Sequence, residues 1–313
     1  FGVPDTTTTL IGIPGASGAS PRRFQGTTLV DWMIAADPAT RALSVSAKDR
    51  SAILPVGHSK QQVFWYANNG LYTTSTYYRD TLPDWVRDFN ALRLPHNYAG
   101  RAWTPLLADR EYSEVDSVWY ETLDHVDIAF PHQFPTDSLA AAARVRFTPM
   151  IDELTLRLAL TGLRKLDLGR GPTTDLLAIS LSATDYVGHF FGPESKEQHD
   201  QIVRLDRILG AFFDTLYTLR DSTRIIFAMT ADHGVGLIPE LHGRRRVNMA
   251  PAMNAVRAAI KAGGGDSTAV DLDGELATRG ILGLEVDRHL ERLARTKLPQ
   301  LAPRAVKQPD GHD

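Results

Sequence analysis

Two short stretches carry side chains whose types and spacing could do chemistry. In "LLAISLSATDYVGHFFGPES", Asp185 and His189 stand four positions apart, just after the apolar run Leu176 to Leu181. In "TRIIFAMTADHGVG", Asp232 and His233 follow a second apolar run. Carboxylate oxygens and imidazole nitrogens are hard-to-borderline donors that suit Zn2+ or a similar divalent ion. Gly188 and Gly234 would let the backbone turn tightly and aim short side chains inward. The ordinary alternative for either pair is a capped loop beside a solvated imidazole. Two such pairs at equivalent strand ends favour the metal reading.

A third stretch is "SAKDRSA", with Lys48 and Arg50 two positions apart. If the segment is extended at a strand end, both side chains point to the same side. An ammonium and a guanidinium suit the non-bridging oxygens of a phosphate, the guanidinium through its bidentate fork. Taken alone, the trio reads first as a surface charge cluster with Asp49 as internal partner.

The elements that must position these groups follow from hydrophobic period and turn chemistry. Leu176 to Leu181 reads as a buried strand. "EQHDQIVRLDRILGAFFDTLYTLR" reads as a long amphipathic helix, and "IIFAMT" as a second buried strand. Strand, long helix, strand is a βαβ unit, whose parallel strands bring both Asp-His pairs to one carboxyl edge. Upstream, Leu43 and Val45 alternate as in a strand, and "TTLVDWMIAA" is a helix with Thr27 or Thr28 as its cap. "VFWYANNGLYTTSTYY" is a hairpin turning at Asn69-Gly70. "LPDWVRDFNAL" and "MIDELTLRLALTGLRKL" are helices, and a third follows at "VDRHLERLARTKL". Phe1 to Phe24 reads as loop, and about Leu94 to Phe134 as an inserted surface region. The expected fold is α/β: a mostly parallel sheet with helices on both faces and inserted cap regions. The expected division is a core over residues 1–240, with an insert at about 94–150, and the start of a second cap over residues 241–313.

Bulk composition limits the partners. Of 313 residues 43% are hydrophobic and 23% charged, an ordinary globular balance. A net charge of -3 gives no basic surface for nucleic acid. With no cysteine, any metal must be held by His, Asp or Glu. No apolar run approaches the roughly 18 residues of a membrane span.

The motifs "TDYVGHFFGPES" and "MTADHGV" resemble the alkaline phosphatase superfamily, in its type I phosphodiesterase and nucleotide pyrophosphatase branch. "GASPRRFQGTTLVDWM", "KDRSAILPVGH", "NNGLYTTSTYYRDTLPDWV" and "IVRLDRILGAFF" are similar to its PafA-like bacterial alkaline phosphatases, over about Gly12 to Glu240. The resemblance implies a zinc-dependent phosphoric monoester hydrolase with two Zn2+ ions and a phospho-Thr or phospho-Ser intermediate. Asp185 and His189 would ligate one zinc, Asp232 and His233 the other, and Lys48 and Arg50 would contact the phosphate. The substrate would be a small phosphate ester, and the location periplasmic or secreted. The family's early Asp ligand and its nucleophile would lie upstream of Phe1, and a third zinc-ligating His downstream of Asp313. Both ends read as cut, so the chain is expected to be an internal piece that binds zinc poorly and turns over little by itself. Thr6 to Thr9, Thr73 to Thr76 and His242 are poor substitutes for the missing groups. His58, His96, His125, His132 and His312 read as ordinary.

Two other readings stay open. One is a nucleotide pyrophosphatase/phosphodiesterase. The other, of a different class, is a non-catalytic binding module that keeps the fold. A phosphoglycerate mutase-like relative would share the metal logic but not the "KDR" and "NNGLYTTSTYY" stretches.

Overall fold

A computed structural model of the chain describes residues 3–117, 127–243 and 250–264. The chain divides into two units, residues 1–235 and 236–313. The first begins with a small antiparallel pair, β1 (Pro4–Thr9) and β2 (Ser17–Ala19), where the sequence reads as loop. Asp5 holds this pair together by accepting from Thr7 and from Ser20 Oγ. Helix α1 (Leu29–Ala36) starts at Thr28, whose hydroxyl accepts the Asp31 N–H while the Asp31 carboxylate accepts the Thr28 N–H. That reciprocal capping box is the expected cap. Strand β3 (Ala42–Ser46) and the short helix α2 (Asp49–Ile53) follow, then β4 (Gln62–Tyr66) and β5 (Tyr72–Thr73).

The hairpin forms, with a longer loop than a two-residue Asn-Gly turn. Ala67 N–H donates to the Leu71 carbonyl and Gly70 N–H to the Ala67 carbonyl. Asn68, Asn69 and Gly70 thus make a three-residue loop with Gly70 at φ 79°. A Cβ there would also lie 2.6 Å from Ala142 Cβ. Conformation and space therefore both require glycine.

Helix α3 (Asp84–Ala91) leads to an antiparallel pair, β6 (Ala102–Trp103) and β7 (His132–Gln133), and to α4 (Ser138–Val145). The region expected to be surface is partly core: Trp103, Phe134, Ala141 and Val145 are buried in the main cluster. Then come α5 (Met150–Lys165), β8 (Leu176–Ser180), α6 (Ala183–Phe191) and the 24-residue α7 (Lys196–Leu219). The second unit contains α8 (Ala250–Ala262). The helix expected at "VDRHLERLARTKL" and the residues His125 and His312 lie outside the described residues.

The main sheet runs β5-β4-β3-β8, with β3 parallel to both β4 and β8 and β5 antiparallel. Alternate residues feed two cores, as strand geometry requires. Leu43, Val45, Phe64 and Tyr66 pack with residues of α3, α5 and α7. Ala42, Val63 and Trp65 pack with Val30, Ala52 and Ile53 of α1 and α2. Helices thus cover both faces, as expected.

The second strand of the βαβ unit does not form. Residues 225–237 carry no regular structure, and Ile226, Phe227 and Met229 are 97%, 55% and 76% exposed. An apolar run becomes a strand only when its N–H and C=O groups find a neighbouring ladder. Among the described residues, this run pairs with no strand, and β8 stands at the sheet's edge.

Candidate active site

Strands β3 and β8 are parallel and in register, Ser46 opposite Ser180, so both chains leave the sheet at one carboxyl edge. After β3, Lys48 is still extended, at φ -107° and ψ 136°, and forms the N-cap of α2. Arg50 already lies in the helix, with its N–H donating to Asp49 Oδ1. The extended "KDR" segment expected from sequence therefore stops at Lys48, because Asp49 starts a helix. Both basic side chains nevertheless line one cleft of about 550 Å3, with Asn68, Asn69, Arg146 and Tyr186.

After β8, the segment expected to be a sharply bending loop is helix α6. Asp185 lies in its first turn and His189 one turn later on the same face, with 3.2 Å between His189 Nε2 and Asp185 Oδ1. Gly188 therefore sits inside a helix at negative φ, and Gly234 is not at positive φ either. The left-handed glycine is Gly192, at φ 95°, where the helix ends.

The start of α6 is fixed by Asp152 of α5. Its Oδ1 accepts the N–H groups of Ser182 and Ala183 at 2.8 and 3.0 Å, and its Oδ2 accepts from Gln201 of α7. The side chain is fully buried, and burial pushes its pKa up to about 6 against the pull of those hydrogen bonds. This group was missed in the sequence. Its signal was a carboxylate inside the stripe that also holds Ile151, Thr155 and Ala159.

Three of the four candidate ligands, Asp185, His189 and His233, lie together with Lys48, and Asp232 is near His233. The Lys48 ammonium forms an ion pair with Asp185 Oδ2 and lies 4.6 Å from the centre of the Tyr186 ring. His233 Nε2 lies 3.6 Å from Asp185 Oδ1 and 3.6 Å from Asp232 Oδ2. His233 Nδ1 donates to the Gly234 carbonyl at 2.9 Å, which leaves Nε2 as the nitrogen facing the carboxylates. In donor type and tautomer the set fits a divalent ion. In number and placement it falls short of a closed site: among the described residues, no group of three or more carboxylates and imidazoles is placed to hold one ion. Lys48 takes one oxygen of Asp185, and the Asp232 side chain is 87% exposed.

The other candidates stand elsewhere. Thr73 Oγ1 donates to the Ile11 carbonyl and Ser75 Oγ to the Ala19 carbonyl, so these hydroxyls serve the fold. Thr6 to Thr9 belong to β1. His58 meets the Phe24 carbonyl. His96 packs beneath Gly70, 2.8 Å from where a Cβ would sit. His132 is less ordinary than its sequence context suggests. It is buried between Asp127 and Glu197 at 2.9 and 3.0 Å, tying β7 to α7. His242 lies in the second unit.

Comparison with known proteins agrees with this architecture. Alkaline phosphatase PhoV of Synechococcus elongatus is 38% identical over 226 residues, covering 70% of this chain and 41% of that protein. Alkaline phosphatase PafA of Elizabethkingia meningoseptica is 37% identical over 222 residues, covering 69% of this chain and 41% of that protein. The chain thus spans about two fifths of the length of these curated relatives. The crystal structure of wild-type PafA superposes with a TM-score of 0.77 at 31% identity, covering 96% of this chain and 61% of that one. The fold is alkaline phosphatase-like. The type I phosphodiesterase / nucleotide pyrophosphatase pattern matches residues 19–302, and the chain belongs to that family.

Proposed function

We propose that these residues serve zinc-dependent hydrolysis of phosphate monoesters in the whole protein. One observation supports this above the others. The ends of two parallel strands bring Lys48 against Asp185, beside His189 and His233, at a cleft that Arg50 also lines. A monoester dianion carries one more negative charge than a diester. Lys48 and Arg50 would bind its non-bridging oxygens and set its orientation. Asp185 with His189, and Asp232 with His233, would hold the two zinc ions. Bound zinc would supply Lewis-acid stabilisation of the phosphoryl oxygens. The Tyr186 ring under the Lys48 ammonium limits the directions that side chain can take. Attack on phosphorus by a Thr or Ser hydroxyl, and a periplasmic or secreted location, belong to the same proposal through the family.

The test compares p-nitrophenyl phosphate with bis(p-nitrophenyl) phosphate, using the whole protein with its metal content measured. The monoester should be preferred, and Lys48→Ala or Arg50→Ala should lower its kcat/KM by about 10-fold or more while changing the diester less. A dominant diesterase rate would favour the nucleotide pyrophosphatase/phosphodiesterase reading, which the name of the matching family pattern also suggests. Absence of bound zinc, with no activity after zinc is added, would favour a binding module.

A further inference from the structure

Lys48 and Arg50 are not the only cations in the cleft. Arg146 lines it too, and sequence reasoning passed it over. It is the C-cap of α4, so its position depends on how that helix ends. One donor is used: Nη2 donates to the Tyr66 carbonyl at 2.8 Å. The Nε–H is buried with no hydrogen-bond partner. Among the described residues, no carboxylate lies within ion-pair distance of Arg146 or Arg50. The charged residues lining the cleft are Lys48, Arg50 and Arg146 against Asp49. Burial raises the pKa of the Tyr186 phenol, and the positive charges of Arg146 and Arg50 oppose that rise, so both act on this hydroxyl in the cleft wall. Asn68 and Asn69 line the same cleft and add amide groups.

Lys48 already faces Asp185, so the two guanidiniums set against Asp49 carry the remaining charge of the cleft lining. A guanidinium with an orphaned donor and no carboxylate partner is an incomplete arrangement, since buried donors are normally paired. We propose that Arg146 forms a second anion subsite, and that the preferred ligands carry a second phosphate or carboxylate beside the first phosphoryl group. This rests on Lys48 and Arg50 holding the first phosphoryl group. The chemistry is a fork of N–H donors matching two oxygens of the second anion.

The subsite can be tested without turnover. Calorimetry in metal-free buffer would compare methylphosphonate, with one anionic group, and methylenediphosphonate, with two. The wild-type chain should bind the second at least about 10-fold more tightly. Arg146→Ala should abolish that ratio, and Arg146→Lys should restore part of it. Lys48→Ala should weaken both ligands while leaving the ratio. Arg146→Gln, which removes the charge but keeps a polar side chain, serves if the alanine variant unfolds; it too should abolish the ratio. Equal wild-type affinities, or a ratio that survives loss of the guanidinium, would overturn the subsite. Failure of monoester hydrolysis would be a separate result, because these affinities would still be readable.

Discussion

Leu43 and Leu177 sit opposite each other on adjacent parallel strands, yet they live in different surroundings. Every residue of β3 is buried, with Leu43 at 0% exposure. Every residue of β8 is only half-buried. Beyond α7, the apolar run at 225–230 is more exposed still, with Ile226 at 97%. The gradient shows that apolar sequence does not bury itself; neighbours bury it. β3 has a strand on each side and helices on both faces, whereas among the described residues β8 has one strand neighbour. The β8 side is held instead by a polar clamp, with Asp152 gripping two backbone N–H groups where α6 begins.

That contrast predicts a graded series. Leu43→Ala should be the worst change, destabilising by about 3 to 4 kcal/mol in urea unfolding, because a fully packed site leaves a cavity. A loss equal to that of Leu177→Ala would erase the distinction between the strands. Asp152 comes next and makes the stability of the β8 side depend on pH. Its carboxyl holds its proton more tightly folded than unfolded. Its contribution is therefore full below about pH 4 and is lost as pH rises through about 6. The two ends of that window should differ by about 3 kcal/mol. Asp152→Asn keeps an acceptor for Ser182 and Ala183 and should flatten the urea midpoint between those pH values. An unchanged slope would remove the clamp from the comparison. Leu177→Ala should cost about 1 kcal/mol, reflecting half-burial. Ile226→Ser should stay within about 0.5 kcal/mol in the same assay. A larger loss there would mean that the 225–230 run is packed after all.

The same gradient explains what could be read from sequence. The elements around β3 were legible because several local signals agreed: Thr27 or Thr28 as the cap of α1, the Leu43 and Val45 alternation, the Asn-Gly turn and the helical period of α5. The run at 225–230 was misread because an apolar hexamer says nothing about whether a ladder partner stands beside it. The β1–β2 pair was misread for the opposite reason, since its Thr, Gly and Pro content hides a pairing that Asp5 secures from within. At the site, Asp185, His189, Asp232 and His233 could be picked out by type; the structure places His189 and His233 beside Asp185, while Asp232 stays exposed next to His233. That Asp185 and His189 sit on a helix was not legible, since four-residue spacing serves a turn or a helix equally. Asp152 and Arg146 were invisible as site residues because their roles depend on contacts across tens of residues: Asp152 to Ser182, Arg146 to Tyr66.

Gly70 carries a consequence for how the cleft tolerates change. Its hairpin loop seats directly against Ala142 of α4, with no room for even a methyl group. Four residues further along, α4 ends at Arg146. Tyr66, at the base of the same hairpin, closes the circuit: its hydroxyl donates to the Ala142 carbonyl and its own carbonyl accepts from Arg146. Loop, helix and guanidinium thus act as one lever with Gly70 as its fulcrum. A side chain at position 70 would be felt as a displaced cation in the cleft wall, so the shape of the cleft is set partly by a residue that does not line it.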